Sequence, residues 1–402
     1  MIQHKPLKPL DEALAQLMQG AEALTEQEVL STFDADGRVL AQDIVSELQV
    51  PPQDNSSMDG YAVRCADLSQ GTRVLPVTQR IAAGSSGVAL APFSAARIFT
   101  GAPIPDGADA VIMQEDCEAV AAESVRINAT ALPGQWIRRA GEDIAAGSVV
   151  LAKGDRLTPA ALGLAASIGM SSLTVVRRPR VALFSTGDEL AMPGEALKPG
   201  GIYNSNRYTL RALLEGLGCV VADLGIVPDS RDATRAALRE AAAGNDLILT
   251  SGGVSVGEED HVKPAVEAEG ALDLWKIAIK PGKPLAFGRV GAAAFIGLPG
   301  NPVSSFVTFL MLVRPYILKA QGATAVTPRA QLLRADFSCP GDPRREFLRA
   351  RVNAEGGLEL FANQSAGVLT SCTWADGLVD NPSRHAVARG DQVRFLPFSE
   401  LL

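Results

Sequence analysis

Apolar positions along the chain change their spacing several times, and each spacing predicts a different element. Apolar side chains at positions 10, 13, 14 and 17 follow the i, i+3, i+4 pattern of an amphipathic helix. A second helix is expected near Glu26, and residues 41–50 are typical of a strand. That strand runs into Pro51 and Pro52, which interrupt regular structure. A new folding unit is therefore expected to begin at residue 51.

Residues 51–144 consist of short apolar runs separated by Gly and Pro, the pattern of a compact β-rich domain. A strand over 149–152 and an Ala- and Leu-rich helix follow, and Thr158 and Pro159 occupy favoured helix-start positions. We expect this stretch to return to the start of the chain, so that residues 1–50 and 145–179 form one domain.

Beyond residue 180, buried-type strands at 181–184, 220–225, 247–250 and 293–296 alternate with helical spacing. This alternation predicts a parallel α/β sheet over 180–328. The clearest helix starts near Asn206 and ends at Gly218, a residue type favoured just after a helix. The helical spacing then disappears, and the last part of the chain, 329–402, predicts a small C-terminal β domain. The predicted fold class is thus multidomain, α/β plus β.

Composition and charge exclude several classes of protein. The 402 residues exceed what one core usually organises, and 47% hydrophobic with 20% charged residues is typical of globular domains. A net charge of −8 provides no basic field, so we expect no nucleic-acid partner. Five dispersed cysteines without a C-x-x-C pair fit reduced thiols, and only three histidines argue against a Cys/His zinc site. The longest uninterrupted apolar stretches, such as Phe309 to Val313, fall far short of the roughly 20 residues of a membrane span, so we expect a cytoplasmic protein without a membrane partner.

Three predicted strands are each followed by a polar or glycine-rich loop, at 185–189, 251–260 and 297–304. Ligands of open parallel sheets bind beyond the carboxyl ends of strands, and glycines let backbone N–H groups approach oxyanions. Gly252, Gly253 and Ser255 are therefore candidate ligand-binding residues. For each loop taken alone, the alternative is an ordinary tight turn between a strand and a helix.

Acidic side chains stand in or beside the same loops. Glu189, Asp229 and Asp260 would repel a polyphosphate unless a divalent cation such as Mg²⁺ lay between, so these three are candidate metal ligands. Helix capping or solvation is the favoured interpretation for Asp188 and for the glutamates at 258–259.

Lys276, Lys280 and Lys283 lie within eight residues of an otherwise acidic chain. We expect Lys276 and Lys280 to share one face of a strand, and the three clustered lysines to form a fixed local positive site. The Pro281-Gly282 turn should hold the Lys280 ammonium group towards anionic oxygens. Ordinary surface lysines are the alternative interpretation.

Eight segments carry a family resemblance that covers nearly the whole chain. They include three polar N-terminal clusters whose composition alone also suits ordinary turns. The segments are, in order, PPQDNSSMDGYAV, FTGAPIPDGADAVI, IRRAGED, ALFSTGDEL, IYNSNRYTL, SGGVSVGEEDH, KIAIKPGKP and GLPGNPVSS. In this order they resemble the MoeA and gephyrin E-domain family of molybdopterin molybdenumtransferases.

This resemblance implies an elongated four-domain subunit with a MogA-like α/β domain. It also implies a homodimer, with residues 1–50 and 145–179 as the linking and dimerisation domain. The site is expected where the α/β domain of one subunit faces the β-rich domain of its partner. The implied reaction converts adenylylated molybdopterin and molybdate, with Mg²⁺, into molybdenum cofactor and AMP. The molybdopterin adenylyltransferase is a further expected protein partner.

Matching positions inherit roles from the resemblance. The expected catalytic residues are Asp59, Asp143, Glu189, Asp229 and Asp260, the last three also being the expected metal ligands. The expected substrate-binding residues are Thr100, Arg138, Gly252, Gly253, Ser255, Lys276, Lys280, Pro299, Pro302 and Ser371. Ser371 stands in a C-terminal segment that departs from the family pattern, with Asp376 where an asparagine is expected.

Two other functions remain open at the level of the sequence. The α/β segment also resembles enzymes that adenylylate molybdopterin, although those enzymes lack the MDGYAV half of this chain. A non-catalytic scaffold of the gephyrin kind would keep the fold and the dimer while using its surface for a partner. The intact acidic and lysine positions count against a scaffold.

Overall fold

The computed structural model describes residues 7–69, 73–253 and 261–402. Before residue 180 the elements are short and mostly strands, as the apolar runs predict. In chain order they are α1 (Leu10–Gln19), β1 (Gln27–Ser31), β2 (Ile44–Val45), β3 (Asn55–Ser56), β4 (Gly60–Val63), β5 (Arg73–Ile81), β6 (Ala95–Ile98), β7 (Ala110–Met113), β8 (Cys117–Ala121), β9 (Ser124–Ile127), β10 (Ile137–Arg138), β11 (Val149–Leu151), α2 (Pro159–Ser167) and β12 (Ser172–Val176).

Two separated segments of the chain form the linking domain. β1 pairs antiparallel with β12, and β2 pairs antiparallel with β11. Apolar side chains from both segments are buried together in one core. α2 begins at Pro159 as predicted, and the Thr158 side chain accepts a hydrogen bond from the Ala161 N–H at 3.3 Å. The later segment therefore returns to the start of the chain.

The helix expected near Glu26 is wrong. β1 occupies this position because all five of its residues pair with β12. The strand expected over 41–50 is reduced to β2 and to an isolated bridge between Val50 and Ile144. Both β1 and β2 form by pairing with a segment more than 100 residues away. The local spacing of apolar residues does not indicate such pairing.

A six-stranded sheet in the order β7-β4-β6-β5-β9-β8 forms the β-rich domain. Successive side chains of a strand point to opposite faces, and Val111 and Ile112 accordingly belong to two different apolar clusters. Gly60, the first residue of β4, pairs with Ile98, the last residue of β6. The residue before β4 and the residues after β6 therefore lie at the same end of this sheet.

The α/β part alternates strands and helices as predicted. Its elements are β13 (Arg180–Thr186), β14 (Leu190–Ala191), β15 (Ile202–Tyr203), α3 (Ser205–Gly216), β16 (Val220–Val227), α4 (Arg231–Ala242), β17 (Leu247–Ser251), α5 (Val262–Glu269), β18 (Gly270–Lys276), β19 (Ile279–Lys280), β20 (Pro284–Val290), β21 (Ala293–Leu298), α6 (Pro302–Thr308) and α7 (Arg314–Ala320), with the π-helical turn Phe309–Val313 joining the last two.

The α/β sheet has the order β16-β13-β17-β21-β20-β18. The first four strands are parallel to one another, whereas β20 runs antiparallel to both of its neighbours, β21 and β18. One edge therefore departs from the parallel sheet that the sequence predicts. Lys276 ends β18, but Lys280 lies in β19, which pairs with the C-terminal domain. The expectation that both lysines share a face of one strand is therefore wrong. The chain leaves one sheet and enters another between them.

The C-terminal domain contains β22 (Gln331–Arg334), β23 (Arg345–Val352), β24 (Leu358–Leu360), α8 (Thr370–Trp374), β25 (Gly377–Asn381), β26 (Gln392–Pro397) and α9 (Phe398–Leu401). Its sheet has the order β19-β23-β25-β26-β22, with β24 paired to β23. Phe347 and Leu396 of this domain are buried in the same apolar cluster as the α/β domain. The shared strand β19 and the shared core join the two domains.

α1 packs on the α/β domain and not on the linking domain. Leu10 and Leu17 are buried in the same core as Leu249 of β17. Lys8, just before the helix, forms a backbone bridge to Ile277. The expected boundary at residue 50 therefore leaves α1 in the wrong domain, because position along the chain does not determine which core an amphipathic helix covers.

One helical stretch among the described residues, Pro302–Ala320, is long and apolar enough to cross a membrane by length and composition. Within its most apolar window, 83% of the residues are buried inside the protein. This stretch is therefore a core helix of the fold.

Replacing Leu17 tests whether α1 belongs to this core. Leu17→Ala should lower the free energy of unfolding by about 2 to 5 kcal/mol, as expected for a fully buried leucine. Gln19 is exposed on the same helix, and the control substitution Gln19→Ala should change that free energy by about 0.5 kcal/mol or less. Urea unfolding followed by tryptophan fluorescence measures both, since Trp275 lies in the same core. Equal effects of the two substitutions would contradict this packing.

Candidate functional site

A cavity of about 870 Å³ opens at the carboxyl edge of the α/β sheet. Its walls contain residues that directly follow β13, β17 and β21, so the three loops expected from the sequence do line one cavity. The C-terminal domain contributes Arg344 and the loop 364–367. Within the described part of the chain, its lining includes no residue before Thr186.

Hydrogen bonds and a close backbone contact connect the three loops. The Gly252 N–H donates to the Leu298 carbonyl oxygen at 3.1 Å, and Asn206 Nδ2 donates to the Gly300 carbonyl oxygen at 2.7 Å. Gly252 has a φ of +89°, and a Cβ at this position would lie 2.7 Å from the Thr186 carbonyl oxygen. Glycine is required here because both the left-handed backbone and the close contact exclude a side chain.

Two buried polar atoms belong to residues that line the cavity. Thr186 Oγ1 and Asn204 Nδ2 make no hydrogen bond within the described residues, and both side chains are nearly fully buried. Leaving a buried polar group without a partner costs about 1–3 kcal/mol, so a ligand that hydrogen-bonds these atoms gains binding energy. Asn204 is also the N-cap of α3, because its Oδ1 accepts the Arg207 N–H at 3.2 Å. That hydrogen bond fixes the orientation of the amide.

Three cationic side chains line the cavity: Lys280, Lys283 and Arg344. Lys280 Nζ lies 2.9 Å from Glu346 Oε1 and 3.0 Å from Asp342 Oδ2, and Arg344 pairs with the same Asp342 at 3.1 Å. Hydrogen bonds to Glu346 and Asp342 raise the pKa of Lys280, and Arg344 holds the pKa of Asp342 well below its usual range. Lys283 is exposed and has no ion-pair partner among residues 7–69, 73–253 and 261–402.

Buried Arg349 supports the C-terminal wall of the cavity. Its N–H donates to Gln364 Oε1 at 2.9 Å, and Gln364 Nε2 donates back to its carbonyl oxygen at 2.9 Å. Ser371 is fully buried, and its Oγ accepts a hydrogen bond from Arg349 Nε at 3.0 Å. Ser371 therefore lies behind the wall and not in it. Asp376, the departure from the family pattern, accepts the Val352 N–H at 2.9 Å and so bonds to the backbone at the end of β23.

Asp59 and Thr100 form a second polar centre at one end of the β-rich sheet. Asp59 Oδ1 accepts hydrogen bonds from both the Thr100 N–H and the Thr100 Oγ1, each at 2.8 Å. These two hydrogen bonds, the backbone one first, lower the pKa of Asp59. The structure thus brings together two residues that stand 41 positions apart in the chain. We refer to them as the Asp59–Thr100 pair.

Arg138 and Asp143 are exposed, at the end of β10 and just beyond it. Between them, Arg139 Nη1 lies 2.6 Å from Asp54 Oδ2, and the Ala140 N–H donates to the same carboxylate at 2.8 Å. The Ala140 hydrogen bond and then Arg139 lower the pKa of Asp54. Asp54 was not among the expected site residues, although it stands in the PPQDNSSMDGYAV segment.

The expected metal ligands are only partly described. Glu189 lines the cavity, and Asp229 lies on the neighbouring loop after β16, where its N–H donates to Asp188 Oδ1 at 3.2 Å. Asp188 therefore connects the loop after β13 to the loop after β16, whereas helix capping or solvation was expected for it. Asp260 and Ser255 lie outside the described residues. Within residues 7–69, 73–253 and 261–402, no group of three or more His, Cys, Asp or Glu could hold a metal ion, so the ligand set stays a prediction.

Other expected site residues divide into lining and non-lining positions. Pro299 and Pro302 line the cavity, the second as the first residue of α6. Gly253 has a φ of +64°, and a Cβ there would lie 2.4 Å from Val262 Cγ2, so it serves the tight turn. Lys276 is not among the cavity-lining residues.

Sequence reasoning placed Lys283 in a local positive site, but it did not identify Asn204, Arg344 or the loop 364–367 as site residues. Lys283 belongs to the lysine cluster, and its place after Pro281-Gly282 was the available signal. Asn204 stands in the segment IYNSNRYTL directly before a helix, which signals a cap but no ligand contact. The C-terminal contributions have no local signal, because they come from a separate domain.

Comparison with known proteins supports the sequence resemblance. Three family models match in order: the MoeA N-terminal region (domain I and II) at residues 8–169, a probable molybdopterin binding domain at 182–319, and the MoeA C-terminal region (domain IV) at 333–398. A molybdopterin molybdenumtransferase of Haemophilus influenzae is 41% identical over 98% of this chain and 99% of its own. The chain belongs to the molybdopterin molybdenumtransferase family.

Further relatives agree with membership of this family. The molybdopterin molybdenumtransferase 2 of Mycobacterium tuberculosis is 39% identical and covers 95% of this chain and 96% of its own. Gephyrin of Dictyostelium discoideum is 31% identical over 96% of this chain and 62% of its own. The crystal structure of the molybdopterin biosynthesis moeA protein of Pyrococcus horikoshii OT3 superposes with a TM-score of 0.84, at 29% identity, over 98% of this chain and 100% of that one. The resemblance and the multidomain fold class expected from the sequence are confirmed.

Lys283 and Lys276 form a matched pair of lysines, one lining the cavity and one not. Lys283→Ala should weaken binding of inorganic phosphate to the cavity by roughly 5- to 10-fold, because an exposed cation without a carboxylate partner is lost. Lys276→Ala should leave this affinity unchanged. Calorimetric titration at low salt measures both. A stronger effect at Lys276 would place the anion site elsewhere.

Proposed function

We propose that this chain transfers molybdenum from molybdate to adenylylated molybdopterin and releases AMP, as an enzyme of molybdenum cofactor biosynthesis. The observation that carries the proposal is the match, over nearly the full length of both chains, to proteins named molybdopterin molybdenumtransferase. The cavity supports it, because glycine-rich strand ends, unpartnered polar atoms and cations suit a ligand that bears phosphate and oxyanion groups.

The cavity residues supply binding and orientation. Gly252 and Gly300 line the cavity without side chains, which lets a ligand approach the backbone closely, and Lys283 adds a cation. Thr186 Oγ1 and Asn204 Nδ2 offer an acceptor or donor to the polar parts of the substrate. Orienting two substrates in one cavity makes the transfer effectively unimolecular, and that is a large source of rate. No covalent intermediate with the protein is needed.

Mg²⁺ is proposed as the metal of this site. The oxygen donors of Glu189 and Thr186, both lining the cavity, are of the type that Mg²⁺ prefers. Asp229 stands on the adjacent loop, and Asp260 is the remaining candidate. Mg²⁺ commonly takes one or two carboxylates and fills its other positions with water and substrate phosphate. When bound, the ion would neutralise charge on the phosphate oxygens near Glu189.

We propose that the active protein is a homodimer. The linking domain exposes several large apolar side chains, among them Val29 at 70%, Phe33 at 96% and Leu48 at 55% relative exposure. Exposed apolar side chains favour association between protein surfaces where they adjoin one another. A dimer would also allow the Asp59–Thr100 pair of one subunit to face the cavity of the other. We further propose a cytoplasmic location and, as a protein partner, the adenylyltransferase that supplies the substrate.

The decisive experiment measures AMP release from purified adenylylated molybdopterin. Release should require molybdate and should increase with Mg²⁺. A parallel reaction with ATP and molybdopterin tests the adenylyltransferase alternative. Formation of the adenylate without molybdate-dependent AMP release would favour that alternative, and inactivity in both reactions would favour a scaffold.

The charge of Asp59 is expected to be needed for turnover. Asp59→Asn should preserve folding, since a half-buried loop residue contributes little to core packing, but should lower AMP release on the order of 100-fold, as is typical for loss of one positioned charged group. The exposed Asp106 of the same domain provides the control substitution Asp106→Asn, which should retain full activity. Unchanged AMP release by the Asp59 variant would remove this residue from the site.

A site shared between subunits predicts complementation. An Asp59→Asn chain and a Glu189→Gln chain should each be inactive as homodimers, but mixed dimers would contain one site with both residues intact. Mixing followed by subunit exchange should restore at most about half of the activity per mixed dimer, because only one of two sites is complete. Mixed dimers, verified by two affinity tags, that stay as inactive as either parent would contradict the shared site.

A further inference from the structure

Arg97 occupies the middle of a cross-strand row in the β-rich sheet. It lies in β6, where Tyr61 of β4 and Arg80 of β5 are its direct pairing neighbours. Its guanidinium carbon lies 5.1 Å from the Tyr61 ring centroid and 4.6 Å from that of Phe99. Arg80 lies 4.5 Å from the same Phe99 ring. Two arginines and two aromatic rings therefore stack at the end of the sheet that carries the Asp59–Thr100 pair.

The hydrogen bonds of Arg97 reach the segments that carry this pair. Its Nη1 donates to the carbonyl oxygen of Gly60 at 2.9 Å, and Gly60 directly follows Asp59. Its Nη2 donates to Gln114 Oε1 at 2.6 Å, and the Gln114 N–H in turn donates to the Asp59 carbonyl oxygen at 3.0 Å. The stacked Phe99 directly precedes Thr100. One guanidinium thus contacts residues on both sides of the Asp59–Thr100 hydrogen bonds.

The positive charge of Arg97 is not used in an ion pair. Among the described residues, no carboxylate lies within ion-pair distance of it, and the side chain is half-buried. Its charge adds to the two hydrogen bonds from Thr100 in lowering the pKa of Asp59. The Arg97 side chain is therefore held by its two aromatic contacts and its two hydrogen bonds. Its N–H groups donate to the Gly60 carbonyl oxygen and to the Gln114 side chain, both next to Asp59.

We propose that Arg97 is a positioning residue that holds the Asp59–Thr100 pair in its reactive arrangement. This inference rests on the proposed function, which assigns Asp59 to the site. Arg97 fixes the start of β4 through Gly60, the end of β7 through Gln114, and the end of β6 through the stacked Phe99 ring. The planar guanidinium suits this task because it can donate in two directions while stacking.

The chain offers a matched control. Arg80 also stacks on Phe99, but among the described residues its side chain makes no hydrogen bond or ion pair. Arg97→Gln removes the guanidinium fork, with its two hydrogen bonds and its charge, whereas Arg80→Gln removes only a stacked cation. Arg97→Lys keeps the charge without the fork, and serves as the second variant should Arg97→Gln fail to fold.

The first measurement does not depend on activity. In protein labelled with ¹⁵N-threonine, the Thr100 amide signal reports its hydrogen bond to Asp59 and can be assigned with Thr100→Ser. Arg97→Gln and Arg97→Lys should shift or broaden this signal, whereas Arg80→Gln should leave it in place. An unchanged Thr100 signal in both Arg97 variants would overturn the proposal.

The second measurement is a double-mutant cycle on AMP release. Arg97→Gln should lower kcat roughly 10- to 100-fold with little change in KM, as expected for misplacing a reacting group. In an Asp59→Asn background, the same substitution should change kcat by less than about 2-fold, because its target is already lost. Additive effects would show that Arg97 supports the fold only and would overturn the proposal. If the wild-type protein releases no AMP, the proposed function fails, and the Thr100 signal still decides whether Arg97 holds the pair.

Discussion

One continuous apolar core holds the walls of the cavity in place. It contains side chains of α1, of the α/β sheet and of the C-terminal sheet, including Leu17, Leu249 and Phe347. Interiors of this kind are close-packed, so the three segments behave as a single support. The strand β19 adds a second connection, because it leaves the α/β domain and pairs with β23. The cavity between the two domains is therefore largely pre-formed, as ligand sites usually are.

Charge at this cavity is local and largely compensated. The chain carries a net charge of −8, and two of the three lining cations are paired, Lys280 with Asp342 and Glu346 and Arg344 with Asp342. Long-range attraction of anions is thus weak, and solvent ions screen it further. Selection of a ligand has to depend on short contacts, for which Thr186 Oγ1, Asn204 Nδ2 and the backbone around Gly252 are available. This arrangement favours discrimination by shape and hydrogen bonding over simple accumulation of anions.

The two polar centres of the chain lie in different domains and depend on different constraints. The cavity depends on strand ends of a parallel sheet, whereas the Asp59–Thr100 pair depends on the pairing of Gly60 with Ile98. Phe33 and Val29 on the linking domain are exposed apolar side chains. The proposed dimer would connect these observations, because within the described part of the chain the cavity lining includes no residue of the β-rich domain.

Strand-end loops, helix starts and the general class of each domain could be predicted from the sequence, because they depend on residues close together in the chain. Pro159 and Thr158 mark the start of α2, and the loops containing Thr186, Gly252 and Pro299 do meet at one cavity. The eight motifs likewise identified the family, since their order along the chain is itself information. These features do not depend on how the domains pack against each other.

Tertiary structure alone decided the contacts between segments that the chain separates widely. Spacing could not show that α1 covers the α/β core, that Lys276 and Lys280 enter different sheets, or that Lys280 meets Asp342. Ser371 looked like a ligand contact by its motif, but burial beside Arg349 places it behind the wall. The physical reason is common to all of these. The role of a side chain depends on which distant residues bury it or pair with its charge. Those residues come into contact with it only when the whole chain has folded.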